Sequence, residues 1–103
     1  WPLVDIHYYE NFQELINKYS DKVFYFATTK AEKFYTDVKY VDDCFIVFGK
    51  ETKGLPDYIL DRYWDRTIKI PMRKDLKRSL NLANSVNIIL FEALRQLNFP
   101  NLV

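Results

Sequence analysis

The sequence predicts one α/β domain in which helices cover both faces of a parallel sheet. Short apolar segments, typical of strands, alternate with segments of helical periodicity along the 103 residues. Two nearly continuous apolar runs, residues 22–28 and Cys44–Phe48, are typical of strands buried on both faces, as parallel strands usually are. With 49% hydrophobic and 17% aromatic residues, the chain can bury one core and is too short for two.

The first half of the chain predicts a strand, a helix and a second strand. Apolar and polar residues alternate over residues 4–8, as in a half-buried strand. Residues 11–19 predict a short amphipathic helix, whose apolar face would contain Phe12, Leu15, Ile16 and Tyr19. After the strand at residues 22–28, the segment 31–40 is ambiguous and fits a turn with either a weak helix or an edge strand.

The second half repeats this alternation. The strand Cys44–Phe48 runs directly into Gly49, and Pro56 fits the first turn of a helix over residues 57–63. Residues 67–70 predict another short strand, which Pro71 closes. From residue 80 to residue 97 the period becomes helical, with an apolar stripe formed by Val86, Ile89, Leu90, Ala93, Leu94 and Leu97.

Composition and charge exclude several classes of protein. A net charge of about +1 excludes a histone-like polycation, although local basic patches remain open. The lone Cys44 cannot form an internal disulfide, so we expect a reduced, cytoplasmic protein in which this thiol packs in the core. One His and one Cys cannot build a conventional zinc site, so no metal is expected. No apolar run approaches the roughly 20 residues of a membrane span, so no membrane partner is expected.

Two segments that follow strands predict a ligand site. In parallel α/β sheets, ligands bind beyond the carboxyl ends of the strands, and residues 49–56 and 71–81 would both lie there. Gly49 and Gly54 are the only glycines in the sequence, which indicates one loop with a special backbone path. The loop matches neither GxxxxGK(S/T) nor GxGxxG, so it is not a phosphate-binding loop of those types. A tight strand-to-helix turn without a ligand is the alternative.

The second of these segments is also the most basic part of the sequence. Its cations are suited either to a phosphate backbone or to a solvated loop, and they are Arg73, Lys74, Lys77 and Arg78. Ser79 or Asn81 would cap the last helix. The loop Thr28-Thr29-Lys30, just past a buried strand, would lie at the same edge of the sheet as a ligand loop or a simple turn.

The remaining polar residues predict mainly structural roles. His7, the only imidazole, lies on a predicted strand and is expected to be structural. Three asparagines recur every three residues at the start of the last helix and fit caps, exposed positions, a site or a subunit contact: Asn81, Asn84 and Asn87. An ordinary polar helix face is expected for Glu92, Arg95 and Gln96.

Several of these segments together resemble a known family. FGKETKGLP, then IPM, RSLNLANSV and FEALRQL, follow the order and spacing of motifs in the RNA 2′-O-methyltransferases of the SPOUT superfamily. The stretch YFATTK is similar to a strand of the same family. The resemblance extends over essentially the whole chain and is strongest to the tRNA (cytidine/uridine-34)-2′-O-methyltransferases.

This resemblance implies a fold, a cofactor and partners. It implies a C-terminal trefoil knot, a homodimer, and methyl transfer from S-adenosylmethionine to the ribose 2′-OH of wobble nucleotide 34, within the anticodon stem-loop of tRNA. It carries cofactor contacts over to Ala27, Gly49, Ile70 and Ser79, with Gly54, Leu55, Met72 and Leu80 lining the pocket. It carries polar active-site positions over to Glu51, Ser79 and Asn81. Phosphates of the tRNA would meet Lys50, Lys53, Lys74, Lys77 and Arg78.

The sequence also departs from the family pattern. The family's N-x-G-x-x-x-R motif, whose Arg is assigned to activation of the 2′-OH, is not found in these 103 residues. We therefore expect residues 1–103 to be one methyltransferase domain without its N-terminal portion. Three alternatives remain: a non-catalytic knotted dimer that binds RNA or S-adenosylmethionine, a ribosomal RNA 2′-O-methyltransferase, and a flavodoxin-like nucleotide binder that would not explain the IPM and RSLN motifs.

Overall fold

Four short strands form a parallel sheet in the part of the chain that the structure describes. This computed structural model describes residues 4–8, 12–49, 55–71 and 82–99. The strands are β1 (Val4–Tyr8), β2 (Phe24–Ala27), β3 (Cys44–Phe48) and β4 (Thr67–Ile68), in the order β1-β3-β2-β4. Each neighbouring pair is parallel. The two strands with continuous apolar sequences, β2 and β3, lie at the centre of this order, and their residues are nearly all buried, as the sequence predicted.

Helices cover both faces of this sheet, which confirms the predicted architecture. The helices α1 (Phe12–Lys18) and α2 (Asp57–Arg62) contribute side chains to the core on one face. The longer helix α3 (Leu82–Gln96) packs on the other face. A 3-10 turn, Trp64–Arg66, leads from α2 into β4.

Alternation along the central strands divides the core in two. On the first face, Phe24, Phe26, Phe45 and Val47 pack with Ile59 of α2. On the second face, the intervening strand residues pack against the apolar stripe of α3, and this cluster contains Tyr25, Cys44, Ile46, Phe48, Ile89, Ala93 and Leu94. Burying each large apolar side chain stabilises the fold by about 1.5–3 kcal/mol, so this two-sided packing holds the short strands together.

The long connection between β2 and β3 resolves the ambiguity at residues 31–40. Most of the segment is irregular, and it meets the sheet at one parallel bridge between Phe34 and Lys69. The bridge consists of the Tyr35 N–H donating to the Lys69 carbonyl at 2.7 Å and the Lys69 N–H donating to the Lys33 carbonyl at 2.9 Å. The connection thus extends the sheet beside β4 without forming a helix.

Several elements differ at their ends from the sequence prediction, whereas β1 and β3 have the predicted bounds. The strand predicted over residues 67–70 ends at Ile68, because Lys69 takes part only in the isolated bridge. Pro56, predicted in the first turn of α2, lies instead at the N-cap with φ −63° and ψ 152°. Its carbonyl accepts the backbone N–H of Ile59 at 3.1 Å and of Leu60 at 3.2 Å, so the helix starts directly after it.

The C-terminus of α3 ends in a Schellman motif. Asn98 has a positive φ of 65°, in the left-handed region that Gly and Asn adopt most readily at this position. The Asn98 N–H donates to the Arg95 carbonyl at 3.0 Å, and the Phe99 N–H donates to the Leu94 carbonyl at 2.7 Å. These two bonds satisfy carbonyls that the helix itself leaves without partners.

Candidate functional site

The carboxyl ends of the three strands β2, β3 and β4 lie side by side. Ala27 is in register with Phe48 of β3 on one side and with Ile68 of β4 on the other. The next residues continue this row, since the Thr28 N–H donates to the Ile68 carbonyl at 2.9 Å. Adjacent strands lie about 4.8 Å apart, so Gly49 and Lys69 are separated by about 10 Å. One bound cofactor can span that distance, as the predicted ligand edge requires.

Three of the predicted cofactor-binding residues meet at this edge. Ala27 ends β2, Gly49 directly follows β3, and Ile70 lies two residues beyond β4. Both Ala27 and Ile70 pack beside the core on the α3 face. Leu55 is placed differently: it is buried in the core on the α1 and α2 face. Its predicted contact with the cofactor stays a prediction.

The other predicted site residues fall outside the described residues. This holds for the predicted polar active-site positions, Glu51, Ser79 and Asn81. It holds for the remaining predicted cofactor contacts, Gly54, Met72 and Leu80. It also holds for the cations predicted to meet tRNA phosphates, Lys50, Lys53, Lys74, Lys77 and Arg78. Their roles therefore remain predictions.

The residues Ala27, Gly49 and Ile70 at this edge suit an uncharged aromatic group such as adenosine. Gly49 is buried, so a Cβ at this position would take up space next to the end of β3. Ala27 and Ile70 are half-buried and offer only small or apolar side chains with their backbone groups. Apolar walls with a few backbone donors and acceptors are typical of pockets that hold a nucleoside. The residues present therefore fit the adenosine part of S-adenosylmethionine.

Polar contacts connect this edge to the start of α2. The Thr28 Oγ1 accepts the backbone N–H of Lys30 at 3.2 Å, which closes the tight turn after β2. The Lys30 Nζ lies 3.7 Å from the Asp57 Oδ1 in the first turn of α2. Both side chains are largely exposed, so this ion pair contributes little to stability and leaves the lysine accessible to an anion.

Two buried tyrosines hold the connection between β2 and β3 in place through hydrogen bonds to its backbone. The Tyr25 hydroxyl donates to the Lys39 carbonyl at 2.7 Å, and the Tyr40 hydroxyl donates to the Tyr35 carbonyl at 2.6 Å. Burial raises the pKa of both tyrosines above its ordinary value. Both phenols therefore stay protonated near neutral pH and act as structural donors.

His7 and Cys44 pack against other side chains of the fold, in keeping with the structural roles that the sequence predicted. The His7 ring packs against Phe45 with ring centroids 5.1 Å apart. Cys44 is fully buried and reduced. Among the residues that the structure describes, no group of three or more His, Cys, Asp and Glu side chains is arranged to hold a metal ion. No helix in the described ranges is long and apolar enough to cross a membrane.

Sequence reasoning missed one pair beside the site, the exposed Phe34 and the half-buried Lys69. The Lys69 Nζ lies 5.6 Å from the centroid of the Phe34 ring, and Phe34 is 40% exposed. The two residues are 35 positions apart, and for the segment around Phe34 the sequence left a turn, a weak helix and an edge strand open. No local signal could therefore have shown that they are neighbours.

Comparisons with known proteins show which family the sequence is similar to. The profile of the SpoU rRNA Methylase family matches residues 1–91. A protein of Listeria monocytogenes serotype 4b (strain F2365), assigned as a tRNA (cytidine(34)-2'-O)-methyltransferase, is 42% identical over 106 residues, which cover 100% of this chain and 62% of the relative. The tRNA (cytidine(34)-2'-O)-methyltransferase of Escherichia coli (strain K12) is 44% identical over 77 residues, covering 74% of this chain and 48% of the relative.

Solved structures with the same fold include an enzyme with bound cofactor. A Bacillus anthracis protein assigned as an RNA methyltransferase superposes with a TM-score of 0.82 at 38% identity, covering 92% of this chain and 61% of that one. The SpoU methyltransferase AviRb from Streptomyces viridochromogenes, in complex with AdoMet, gives a TM-score of 0.69 at 26% identity, covering 87% of this chain and 36% of that one. The chain thus spans less than two thirds of the length of these relatives.

Proposed function

The chain belongs to the SpoU rRNA methylase family, and from this premise we propose that the protein transfers the methyl group of S-adenosylmethionine to the ribose 2′-OH of nucleotide 34 in tRNA. The names of the Listeria and Escherichia relatives support position 34 of tRNA as the target. The observation that carries the proposal is the shared carboxyl edge, where Ala27, Gly49 and Ile70 come within the span of one cofactor.

The cofactor supplies a methyl group that its sulfonium already activates. The protein's task is therefore to position the ribose 2′-OH and to help its deprotonation. In the proposal, backbone groups of Gly49, Ile70 and Ser79 hold the adenine. The side chain of Ala27 carries no charge, so it suits contact with the neutral adenine ring. The polar residues Glu51, Ser79 and Asn81 orient the reacting ribose.

The same proposal includes a particular topology and assembly. We expect the C-terminal segment to form a trefoil knot and two copies to form a homodimer in the cytoplasm. The family resemblance of RSLNLANSV, whose last five residues are the first five of α3, supports both expectations. The anticodon stem-loop of tRNA would be the RNA partner, and its phosphates would meet the basic residues Lys50, Lys53, Lys74, Lys77 and Arg78.

A methyl-transfer assay with full-length protein tests this function. The enzyme is incubated with S-adenosylmethionine labelled in its methyl group and with unmodified tRNA transcripts. The matched control is the same tRNA with a 2′-deoxyribose at nucleotide 34, which lacks the accepting hydroxyl. We expect label in the first RNA and none in the second.

Other results would select the alternatives. Label in ribosomal RNA without label in tRNA would identify a ribosomal RNA 2′-O-methyltransferase and overturn the proposed substrate. No label in either RNA, together with measurable binding of S-adenosylhomocysteine, would identify a non-catalytic module. Equal label in the normal and the 2′-deoxy tRNA would place the methyl group elsewhere than the ribose of nucleotide 34.

A further inference from the structure

An exposed aromatic ring and a half-buried lysine form a pair at the β4 border of the site. Phe34 is 40% exposed, and the Lys69 Nζ lies 5.6 Å from its ring centroid. Lys69 immediately precedes Ile70, one of the residues at the predicted cofactor edge. The pair therefore lies directly beside the edge at which the cofactor is proposed to bind.

The backbone around this pair is held in place by several hydrogen bonds. Lys69 is bonded on both sides, to Lys33 and to Tyr35, in the parallel bridge. The Phe34 N–H also donates to the Asp37 Oδ2 at 2.9 Å. The Lys33 Nζ donates to the Asp65 carbonyl at 2.9 Å, which joins the segment to the turn before β4. The exposed ring is thus presented from a fixed backbone, so little ordering is needed when a ligand binds.

We propose that Phe34 and Lys69 form a docking point for an unpaired nucleotide of the RNA substrate, whose base stacks on the Phe34 ring. This inference rests on the proposed function, because it assumes that the ligand beside the site is RNA. Sequence-tolerant stacking of bases on aromatic side chains is common in single-stranded recognition. The ammonium of Lys69 lies where it can neutralise a phosphate of the same nucleotide.

The local charge favours stacking as the main source of affinity. The cations Lys33, Arg66 and Lys69 are offset by acidic residues at Glu32, Asp37 and Asp65. The Asp37 carboxylate is engaged by the Phe34 N–H. A surface with balanced charge attracts a phosphate backbone only weakly, so the exposed ring should determine most of the binding at this point.

Variants of Phe34 in the full-length protein test the inference. Phe34→Leu keeps an apolar side chain and removes the ring, while Phe34→Trp keeps a stacking surface. Binding of a short anticodon stem-loop RNA is followed by fluorescence anisotropy, and binding of S-adenosylhomocysteine by calorimetry. We expect Phe34→Leu to weaken RNA binding about 5- to 150-fold, Phe34→Trp to restore it, and both to leave S-adenosylhomocysteine binding unchanged.

A matched control variant and a salt series separate the stacking contribution of Phe34 from the loss of an exposed ring elsewhere and from phosphate contacts. Phe99→Leu makes the same substitution at a ring that is 45% exposed beyond the far end of α3, and it should not change RNA binding. Phe34→Leu should keep the slope of affinity against salt, whereas Lys69→Met should reduce this slope by about one phosphate contact.

Two results would overturn the inference in distinguishable ways. If wild-type protein binds the RNA and Phe34→Leu binds it within twofold, the stacking role is wrong while the proposed function stands. If wild-type protein neither binds nor methylates any of the RNAs, the proposed function fails and the inference fails with it.

Discussion

Gln96 at the end of α3 is hydrogen-bonded to the backbone of Tyr40, 56 residues earlier in the chain. Its side-chain oxygen accepts the Tyr40 N–H at 3.0 Å, and its Nε2 donates to the Val38 carbonyl at 3.0 Å. The same Nε2 donates to the Glu92 carboxylate at 2.8 Å. One side chain thus fixes the end of the connection between β2 and β3 against the last helix.

The carboxylate beside Gln96 is itself held in its charged form. The Arg95 guanidinium donates to both Glu92 oxygens, at 2.8 and 2.9 Å, and these hydrogen bonds lower the pKa of Glu92. The sequence predicted an ordinary polar helix face for Glu92, Arg95 and Gln96, and for Gln96 this prediction was wrong. A side chain that satisfies two backbone groups of another segment is part of the tertiary structure.

Replacing Gln96 should destabilise the protein. Gln96→Leu keeps a similar volume but leaves the Tyr40 N–H and the Val38 carbonyl without their partners. Each unsatisfied buried group costs about 1–3 kcal/mol. Two groups lose their partners and both bonds are only partly buried, so we expect the free energy of unfolding, measured by urea denaturation, to fall by about 2 kcal/mol, the low end of this sum. Gln13→Leu, on the exposed side of α1, is the control and should stay within about 0.5 kcal/mol of wild type. An unchanged midpoint for Gln96→Leu would show that water replaces these bonds without cost.

Buried Tyr40 predicts a loss of stability in alkaline solution. Burial raises the pKa of Tyr40 above its ordinary value, so the folded state holds this proton more tightly than the unfolded state does. The resulting stability is complete below about pH 10 and declines as the pH rises further, by up to about 1.4 kcal/mol per pH unit. Unfolding by urea between pH 8 and pH 11 measures this slope.

Tyr40→Phe separates this group from other alkaline effects. The variant loses the hydrogen bond to the Tyr35 carbonyl, so at neutral pH it should be less stable by about 1 kcal/mol. Above pH 10 its stability should decline less steeply than that of wild type. Tyr58→Phe, at an exposed tyrosine of α2, controls for the removal of a phenol in general. Parallel slopes for Tyr40→Phe and wild type would contradict the assignment.

Replacing Asn98, which has a left-handed backbone conformation at the end of α3, by Gly should stabilise the protein. Asn98→Gly removes the steric cost of a Cβ at a φ of 65°, so we expect the free energy of unfolding to rise by a few tenths to about 1 kcal/mol. Asn87→Gly, at an exposed position inside α3, should lower it by a few tenths, because Gly is a poorer helix former than Asn. Thermal melting of the two variants should therefore show shifts of opposite sign, and shifts of the same sign would contradict the Schellman assignment.

Cofactor binding should be sensitive to the size of the side chain at position 49. Gly49→Val adds a branched side chain at a buried position next to the carboxyl end of β3, where the adenosine is proposed to bind. We expect calorimetric titration of full-length protein with S-adenosylhomocysteine to show binding to wild type and at least a tenfold loss in the variant.

A control for the Gly49 experiment comes from an exposed position. Thr36→Val introduces the same side chain in the irregular segment before β3 and should bind S-adenosylhomocysteine like wild type. Wild-type affinity in Gly49→Val would show that the adenosine lies away from the end of β3, and the proposed site would then be wrong.

Much of the fold, and the strand ends at which the site is proposed, could be predicted because the signals are local. Continuous apolar runs predicted the central strands, and the strand Cys44–Phe48 was predicted with its exact ends. The direction of parallel strands predicted that the segments 49–56 and 71–81, which follow two of them, would start at one edge of the sheet. The specific identity of the cofactor came from the family resemblance of whole motifs, since no rule of periodicity or composition indicates S-adenosylmethionine.

By itself, the sequence determined the α/β class and the buried strands, and it predicted the edge at which we propose that the cofactor binds. These depend on apolar periodicity and on residues that are neighbours along the chain. The tertiary structure alone decided the strand order, the bridge between Phe34 and Lys69, and the hydrogen bonds of Gln96 to Val38 and Tyr40. These pairs lie 35 to 58 residues apart, and the energy of such contacts depends on packing that brings the groups together, which no local pattern encodes.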